Sequence, residues 1–273
     1  MERNLKNRVL KFVVAISFLL IATLSSLTLE AKRDAREKNF MFIEGLRMLN
    51  LGNLQSAEKI FTELTTKYPD MDAAFYYLAD ISLKSGNLTK ALAYTERAVA
   101  SDSTNYWYGI QLARILSATG DFKRSAEVYE RILTGNRANT ALNIELIEIY
   151  SRNKEFDKAL AALLEIEKKN GLNEAIVLTR YNIMANQGKQ EPAIKMLEEF
   201  NNSTPTPRTA TLLGDYYSSV KQDSTAMEHY STALALDPGY IPAIFGLAEG
   251  FRMRGQFDLY FKHMFPFMAN ADV

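Results

Sequence analysis

The stretch LGDYYSSVKQDSTAMEHYSTALALDP, residues 213–238, decides the fold. Its small residues Gly214 and Ala226 stand twelve positions apart, where two antiparallel helices would have to approach each other closely. Leucine, alanine and tyrosine side chains around them can fill the space between the two helices. Pro238 follows the second helical pattern, and a helix usually ends before a proline. The stretch therefore predicts a helical hairpin whose apolar face needs a neighbouring hairpin to cover it.

The same pattern recurs along the chain in steps of 34 residues, with a single step of 33. In successive repeats, the position equivalent to Gly214 is occupied by Gly45, Ala79, Ala113, Ile147, Tyr181, Gly214 and Ala248. The position of Ala226 is held by Ala57, Ala91, Ser125, Ala159, Ala193, Ala226 and Tyr260. The turn between the two helices is predicted at Gly52, Gly86, Gly120, Lys154, Gly188, Lys221 and Gly255. This agreement predicts a stack of hairpins over nearly the whole chain.

The motif Leu-Gly-x2-Tyr, then Ala-x3-Tyr, then Pro in residues 213–238 resembles the tetratricopeptide repeat. The resemblance runs from about residue 35 to the C-terminus. It implies an all-α fold: a right-handed superhelical solenoid of antiparallel helix pairs with about six and a half repeats. We place the repeats near residues 38–71, 72–105, 106–139, 140–173, 174–206 and 207–240, with a partial, capping repeat at 241–273.

Local signals refine this prediction. The helices of the first repeat are expected near residues 37–50 and 54–67. Asn53, Asn87 and Asp121 stand where a side-chain oxygen would cap the second helix of successive repeats. Pro192 fits a helix only in its first turn, and we place it there.

The composition limits the function classes. Lysine and arginine together number 32, as do aspartate and glutamate, and the chain beyond residue 31 keeps 28 basic against 30 acidic residues. A nucleic-acid-binding surface needs an excess of positive charge, so we expect no nucleic-acid partner. There are no cysteines, which excludes disulfides, thiolate metal sites and a cysteine nucleophile.

Residues 1–31 form a leader with a basic start, an apolar centre at residues 12–24 and a more polar end. This order is typical of a secretory signal, with cleavage after Ser26 or Ala31. The alternative is an uncleaved anchor, because residues 12–29 carry no charge and are just long enough to span a membrane. We favour cleavage because the apolar centre is short. Either way, the repeats are expected outside the cytoplasm, with membrane contact only through an uncleaved leader.

The sequence contains few features that indicate catalysis. No glycine-rich phosphate loop, paired-histidine metal motif or nucleophile elbow occurs in the sequence. The two histidines, His229 and His263, are each interpreted as surface or packed residues. Five carboxylates are expected on the first helices of their repeats: Asp80, Glu145, Glu148, Asp215 and Glu249. Paired carboxylates could serve acid–base catalysis, but we favour the interpretation that these side chains are solvated or line the groove. We therefore expect no enzymatic activity, no metal and no cofactor.

In the family that the chain resembles, the first helix of each repeat lines a concave groove, and partner peptides or helices lie along it. The corresponding positions here are Phe42, Leu46, Tyr76, Asp80, Trp107, Ile110, Arg114, Ile144, Glu148, Asn182 and Asp215. Tyr76, Tyr77 and Trp107 are expected to contribute most to binding. The alternative for these aromatic residues is packing between repeats. Arg114 is the lone cation among these positions in the first three repeats, which argues against a clamp for a C-terminal carboxylate.

The C-terminal residues 256–273 are rich in aromatic side chains. We favour a packed cap on the last repeat, since aromatic stripes are usually core. The alternative is a docking surface for another chain, including self-association through this helix. Pro266 is predicted to kink or end the helix.

Three segments also resemble exported tetratricopeptide repeat proteins of Gram-negative bacteria: the leader followed by EAKRD at 30–34, NYWY at 105–108 and LGDYY at 213–217. This resemblance implies a periplasmic or envelope location. We expect a non-enzymatic scaffold that binds a partner protein or peptide. The alternatives are an inner-membrane-anchored assembly or chaperone-like factor and, in another class, a processing enzyme on a helical scaffold.

Overall fold

The computed structural model describes residues 28–135 and 139–268, and these residues form helices joined by short turns without any strand. The chain divides into two compact units, residues 1–132 and 133–273. The leader lies outside the described residues as far as residue 27, so its two interpretations stay predictions. Among the helices of the described residues, none is both long and apolar enough to cross a membrane.

The first unit contains α1 (residues 28–50), α2 (Leu54–Lys67), α3 (Asp72–Lys84), α4 (Leu88–Ser101), α5 (Tyr106–Ala118) and most of α6 (Phe122–Gly135). The second unit contains α7 (Thr140–Arg152), α8 (Phe156–Asn170), α9 (Glu174–Asn186), α10 (Gln190–Ser203), α11 (Pro207–Ser219), α12 (Asp223–Leu236), α13 (Ile241–Met253) and α14 (Phe257–Met268). From α3 onward, successive odd-numbered helices begin 34 residues apart, except that α11 begins 33 residues after α9. This spacing confirms the predicted all-α array of helix pairs.

The small residues lie where the paired helices approach most closely. A Cβ atom added to Gly45 on α1 would lie 2.7 Å from the ring of Phe61 on α2. A Cβ atom added to Gly214 on α11 would lie 2.6 Å from the ring of Tyr230 on α12. No real side chain tolerates such distances, so each glycine permits an aromatic ring to pack against its backbone.

In α6 the close-approach position is occupied by a serine, whose hydroxyl also makes a hydrogen bond to the paired helix. Ser125 is fully buried, and its hydroxyl donates a hydrogen bond of 2.7 Å to the carbonyl of Ala113 on α5. A buried hydroxyl needs such a partner. The bond links the two close-approach positions of the third repeat directly.

All seven predicted turn positions have positive φ angles, including Lys154 and Lys221, each at 61°. This left-handed conformation suits glycine, whereas a Cβ atom makes it unfavourable. The sequence therefore located the turns correctly even where lysine replaces glycine.

Replacing Lys154 with glycine is expected to raise the free energy of unfolding by about 1 kcal/mol, because the change removes a Cβ atom from the left-handed turn. Urea denaturation followed by circular dichroism measures the effect. Gly120→Ala provides the matched control, since φ at Gly120 is 84°, and it should destabilise the protein by a similar amount. Equal stability of all three proteins would contradict this account of the turns.

The helix caps also follow the sequence. The side-chain oxygens of Asn53, Asn87 and Asp121 accept hydrogen bonds from backbone N–H groups three residues later, at 3.1, 3.0 and 3.2 Å. Pro192 lies in the first turn of α10, as predicted. Pro266 was predicted to kink or end α14; it lies inside the helix, which continues to Met268, so the helix does not end at Pro266 and the kink stays a prediction.

Helix α1 differs most from its predicted bounds, because it is helical from residue 28 onward rather than from near residue 37. The added segment consists mainly of alanine, glutamate, lysine and arginine, which favour helix. Arg33 and Glu37 stand four residues apart with opposite charges. Ion pairs also hold α1 to the end of α2, between Glu37 and Lys67, and to the turn after α2, between Lys38 and Asp70 at 2.8 Å.

Candidate binding surface

Four aromatic side chains connect the first helices of the first unit. The ring centroid of Phe42 on α1 lies 5.7 Å from that of Tyr77 on α3. The Tyr77 ring lies 5.3 Å from Tyr76, and the Tyr76 ring lies 5.4 Å from Tyr108 on α5. These distances are typical of aromatic pairs in contact. Phe42, Tyr77, Tyr76 and Tyr108 are called the aromatic ladder below, and they form one continuous row across three helices.

The aromatic ladder rests on buried side chains of the second helices. Phe61 on α2 is fully buried and stacks on Tyr77, with the ring centroids 5.5 Å apart and an interplanar angle of 12°. The same ring meets Phe42 edge-on at 5.9 Å. The core of the first hairpin therefore holds two rings of the aromatic ladder in place.

A buried polar contact fixes α5 against the two helices before it. The amide nitrogen of Gln111 donates to the carbonyl of Tyr76 at 3.3 Å. The amide oxygen of Gln111 accepts a hydrogen bond of 3.0 Å from the hydroxyl of Thr95 on α4. Because both buried side chains find partners, this contact stabilises the alignment of α3, α4 and α5 that brings Tyr76 to Tyr108.

Trp107 lies beside the aromatic ladder but differs in exposure. The side chain is 64% exposed, and its ring meets Tyr106 edge-on at 5.3 Å. The rings of Phe42, Tyr76 and Tyr77 are half-buried, whereas Tyr108 is buried. Trp107 thus presents most of a large aromatic surface to solvent, one residue before Tyr108 of the aromatic ladder.

Charged groups surround the hydroxyl of Tyr76. Burial raises the pKa of Tyr76, and the nearby carboxylate of Asp80 raises it further, while the guanidinium of Arg114 on α5 has the opposite effect. Asp80 also forms an ion pair of 2.9 Å with Lys84. Burial, assisted by Asp72, raises the pKa of Tyr108 to about 12. Both phenols are therefore protonated at neutral pH, and the hydroxyl can act as a hydrogen-bond donor.

The remaining predicted groove residues of the first unit have different surroundings. Leu46 is half-buried and packs against the hydrophobic core of the first two repeats. Ile110 is buried in α5, so it offers almost no surface to a partner. Arg114 is exposed. The structure therefore brings Phe42, Tyr76, Asp80 and Arg114 towards one surface but assigns Ile110 to the core.

Four predicted groove residues lie in the second unit, on three helices. Ile144 and Glu148 are exposed on α7, and Glu148 forms an ion pair of 2.9 Å with Arg152. Asn182 is exposed on α9. Asp215 is exposed on α11 and accepts a hydrogen bond of 2.8 Å from the hydroxyl of Tyr230. These residues do not form an aromatic row comparable with the aromatic ladder.

Both histidines pack against aromatic rings. His229 on α12 is half-buried and lies parallel to the ring of Tyr217 on α11, with centroids 5.4 Å apart. The hydroxyl of Tyr217 donates to Glu198 on α10. His263 on α14 contacts the ring of Phe251 at 5.4 Å. Within the described residues, no group of three or more histidine or acidic side chains is arranged to hold a metal ion.

We expect the second unit to lose stability as the pH falls through the region below 6.5. Burial lowers the pKa of His229 from its usual 6.5, although Glu198 and Glu228 oppose the shift. The unfolded chain therefore binds a proton at a higher pH than the folded chain, so acidification favours unfolding. Replacing His229 with glutamine should flatten this dependence between pH 5 and 7 in urea denaturation. If stability depended on pH in the same way in His229→Gln as in the wild type, the assignment of this dependence to His229 would be contradicted.

Comparisons with known proteins agree with this architecture. Two segments, residues 44–106 and 116–178, match family models described as tetratricopeptide repeat. Both segments carry tetratricopeptide repeats. No curated protein shows significant similarity to the chain in sequence.

Solved structures with TM-scores above 0.5 show the same fold. The C-terminal part of a tetratricopeptide repeat protein from Cytophaga hutchinsonii is 21% identical, with a TM-score of 0.59, and the match covers 77% of this chain and 87% of that one. A MamA protein is 14% identical with a TM-score of 0.52, over 61% of this chain and 94% of that one. The Naa15/Naa10 structure with HypK is 13% identical with a TM-score of 0.45 over 86% of this chain. The chain spans only 37% of that larger relative.

Sequence reasoning about the tetratricopeptide repeats missed Tyr108 and Gln111. Both lie on α5, within four residues of Trp107. The available signal was the unusual aromatic run at residues 106–108. It marks a helix with rings on more than one side, but only the position of α3 determines which ring is buried.

Proposed function

We infer that the chain is a non-enzymatic protein-interaction scaffold that binds a partner peptide or helix on the aromatic ladder and Trp107. The observation that carries this proposal is the continuous aromatic row across α1, α3 and α5, together with the 64% exposed Trp107, which directly precedes Tyr108 in the sequence. Tryptophan and tyrosine in rigid surroundings contribute much of the binding energy of protein interfaces. The tetratricopeptide repeats are consistent with this role.

The chemistry of the surface defines the partner. Half-buried rings supply apolar contact area with little loss of side-chain freedom, because Phe61 packs against the rings of Phe42 and Tyr77 and Gln111 fixes the backbone of Tyr76. The protonated hydroxyl of Tyr76, with Asp80 and Arg114 nearby, adds polar contacts that orient a ligand. A peptide or helix with an aromatic or aliphatic anchor next to polar groups fits this surface best.

We place this scaffold outside the cytoplasm, in the envelope of a Gram-negative bacterium. The support is the composition of the leader, with its basic start and apolar centre. N-terminal sequencing of the protein from an envelope fraction tests this location and the fate of the leader. A new N-terminus at Leu27 or Lys32 supports export with cleavage, an intact Met1 in the membrane fraction supports an anchor, and recovery in the cytoplasm contradicts the location.

Replacing Trp107 with alanine is expected to weaken partner binding about 30-fold, and Tyr76→Ala about tenfold, because interface aromatic anchors contribute about 1.4–2 kcal/mol or more each. The partner is first isolated from envelope extract with the wild-type protein, and affinities are then measured by calorimetry. Lys59→Ala on α2 is the control, since Lys59 is exposed on a second helix, and it should bind like the wild type. Unchanged affinity in both aromatic variants would contradict the proposed surface.

A further inference from the structure

The C-terminal helix α14 carries a row of phenylalanines that neighbouring described residues cover only in part. Phe257, Phe261 and Phe265 are 55%, 50% and 69% exposed. None of the residues of α14 is buried. Such a row of large apolar side chains is characteristic of an interaction surface.

The packed cap favoured from the sequence accounts for only one face of α14. Phe267 contacts Phe245 on α13, with ring centroids 5.2 Å apart, and His263 contacts Phe251 on the same helix. The three phenylalanines lie on roughly the opposite face, because His263 and Phe267 each follow a phenylalanine by two residues, a rotation of about 200°. Packing against α13 therefore leaves at least half of each of these three side chains exposed.

The spacing of the three phenylalanines is symmetric. Phe257 and Phe265 each stand four residues from Phe261, so they lie about 6 Å above and below it on the same face. An antiparallel second copy of this helix would place Phe261 against its own equivalent and Phe257 against Phe265 of the second copy. The same surface would then complement itself, as a twofold interface requires.

The charges beside the row favour the same arrangement. Asp258 and Lys262 lie on one flank of the phenylalanines, each one residue after a phenylalanine. In an antiparallel pair related by a twofold axis at Phe261, the flank that carries Asp258 and Lys262 in one helix lies beside the same flank of the other helix. Asp258 then lies within about 3 Å, measured along the helix axis, of Lys262 of the second copy. Opposite charges would thus meet on both sides of the twofold axis.

We propose that α14 pairs antiparallel with α14 of a second copy of this chain, about a twofold axis at Phe261. The exposed apolar area of the three phenylalanines and their neighbours is about 500 Å² per copy. This is less than the roughly 800 Å² per partner of stable complexes, so the dimer is weak, with a dissociation constant in the micromolar range. The proposal does not depend on the function of the aromatic ladder.

Sedimentation equilibrium of the chain, in the form in which cells accumulate it, tests the proposal. The wild-type protein should show a monomer–dimer equilibrium, and Phe265→Ser should weaken it about tenfold or more. Phe40→Ser on α1 is the matched control, because Phe40 is also 69% exposed, and it should dimerise like the wild type. A protein that stays monomeric up to hundreds of micromolar, or equal dimerisation of all three proteins, would overturn the proposal.

Charge reversal distinguishes a second copy from any foreign partner. Asp258→Lys and Lys262→Asp should each weaken self-association, since each brings like charges together. A mixture of the two single variants should recover the wild-type affinity, because positions 258 and 262 of the two copies then carry opposite charges again in both pairs. Weak association in the mixture would refute the antiparallel pairing, as would capture of α14 by another protein in place of a second copy.

Discussion

Replacing Gly214 with valine is expected to lower the free energy of unfolding by about 3 kcal/mol. The first added carbon would lie 2.6 Å from the ring of Tyr230. That ring cannot withdraw, because a Cβ atom on Gly246 of α13 would already lie 2.4 Å from it and its hydroxyl bonds to Asp215 at 2.8 Å. The helices α11 and α12 would therefore have to separate.

Urea denaturation and hydrogen exchange together measure this effect. Because each repeat contacts only its neighbours, the loss of exchange protection should centre on α11–α13 and spare α1–α4. Gly135→Ala is the control, since a Cβ atom there meets nothing within 4 Å. That variant should be equal to the wild type or up to about 1 kcal/mol more stable, because alanine favours helix. Wild-type stability of Gly214→Val would show that the two helices do not pack as described.

Replacing Phe61 with alanine is expected to destabilise the first two repeats by about 3–5 kcal/mol. The Phe61 ring is fully buried, stacks on Tyr77 and fills the space beside Gly45. Its loss leaves a cavity and removes support from two rings of the aromatic ladder. Partner binding should therefore weaken together with exchange protection in α1–α4.

The matched control for this prediction is Phe40→Ala. The Phe40 side chain is 69% exposed, so its truncation should change stability by no more than about 0.5 kcal/mol. Similar unfolding curves for Phe61→Ala and Phe40→Ala would contradict the packing of the first hairpin. If Phe61→Ala lost stability but bound the partner as tightly as the wild type, the aromatic ladder would not be the binding surface.

The repeat register could be predicted from sequence because it depends on local sterics. Gly45 and Gly214 mark close approaches that larger residues would block, and Lys154 stands in a turn whose position follows from the interval alone. The glycine signals need no knowledge of the neighbouring repeats, whereas the turn at Lys154 is located from those repeats through the 34-residue interval. Helix caps such as Asn53 are equally local.

The details of the binding surface could not be predicted in the same way. Trp107 and Tyr108 are adjacent in sequence, yet one is exposed and the other is buried. Neighbouring residues of a helix point about 100° apart, and only the position of the preceding helix decides which of them faces the core. Ile110 was assigned to the groove for this reason, although the structure buries it.

The most direct test of the central claim is site-specific crosslinking in cells. A photoreactive phenylalanine analogue at position 107 should capture one discrete partner protein, whereas the same group at position 59, on the exposed side of α2, should not. Tyr76→Ala should weaken the capture at position 107. Equal capture from both positions, or a partner crosslinked only from position 59, would contradict binding on the aromatic ladder.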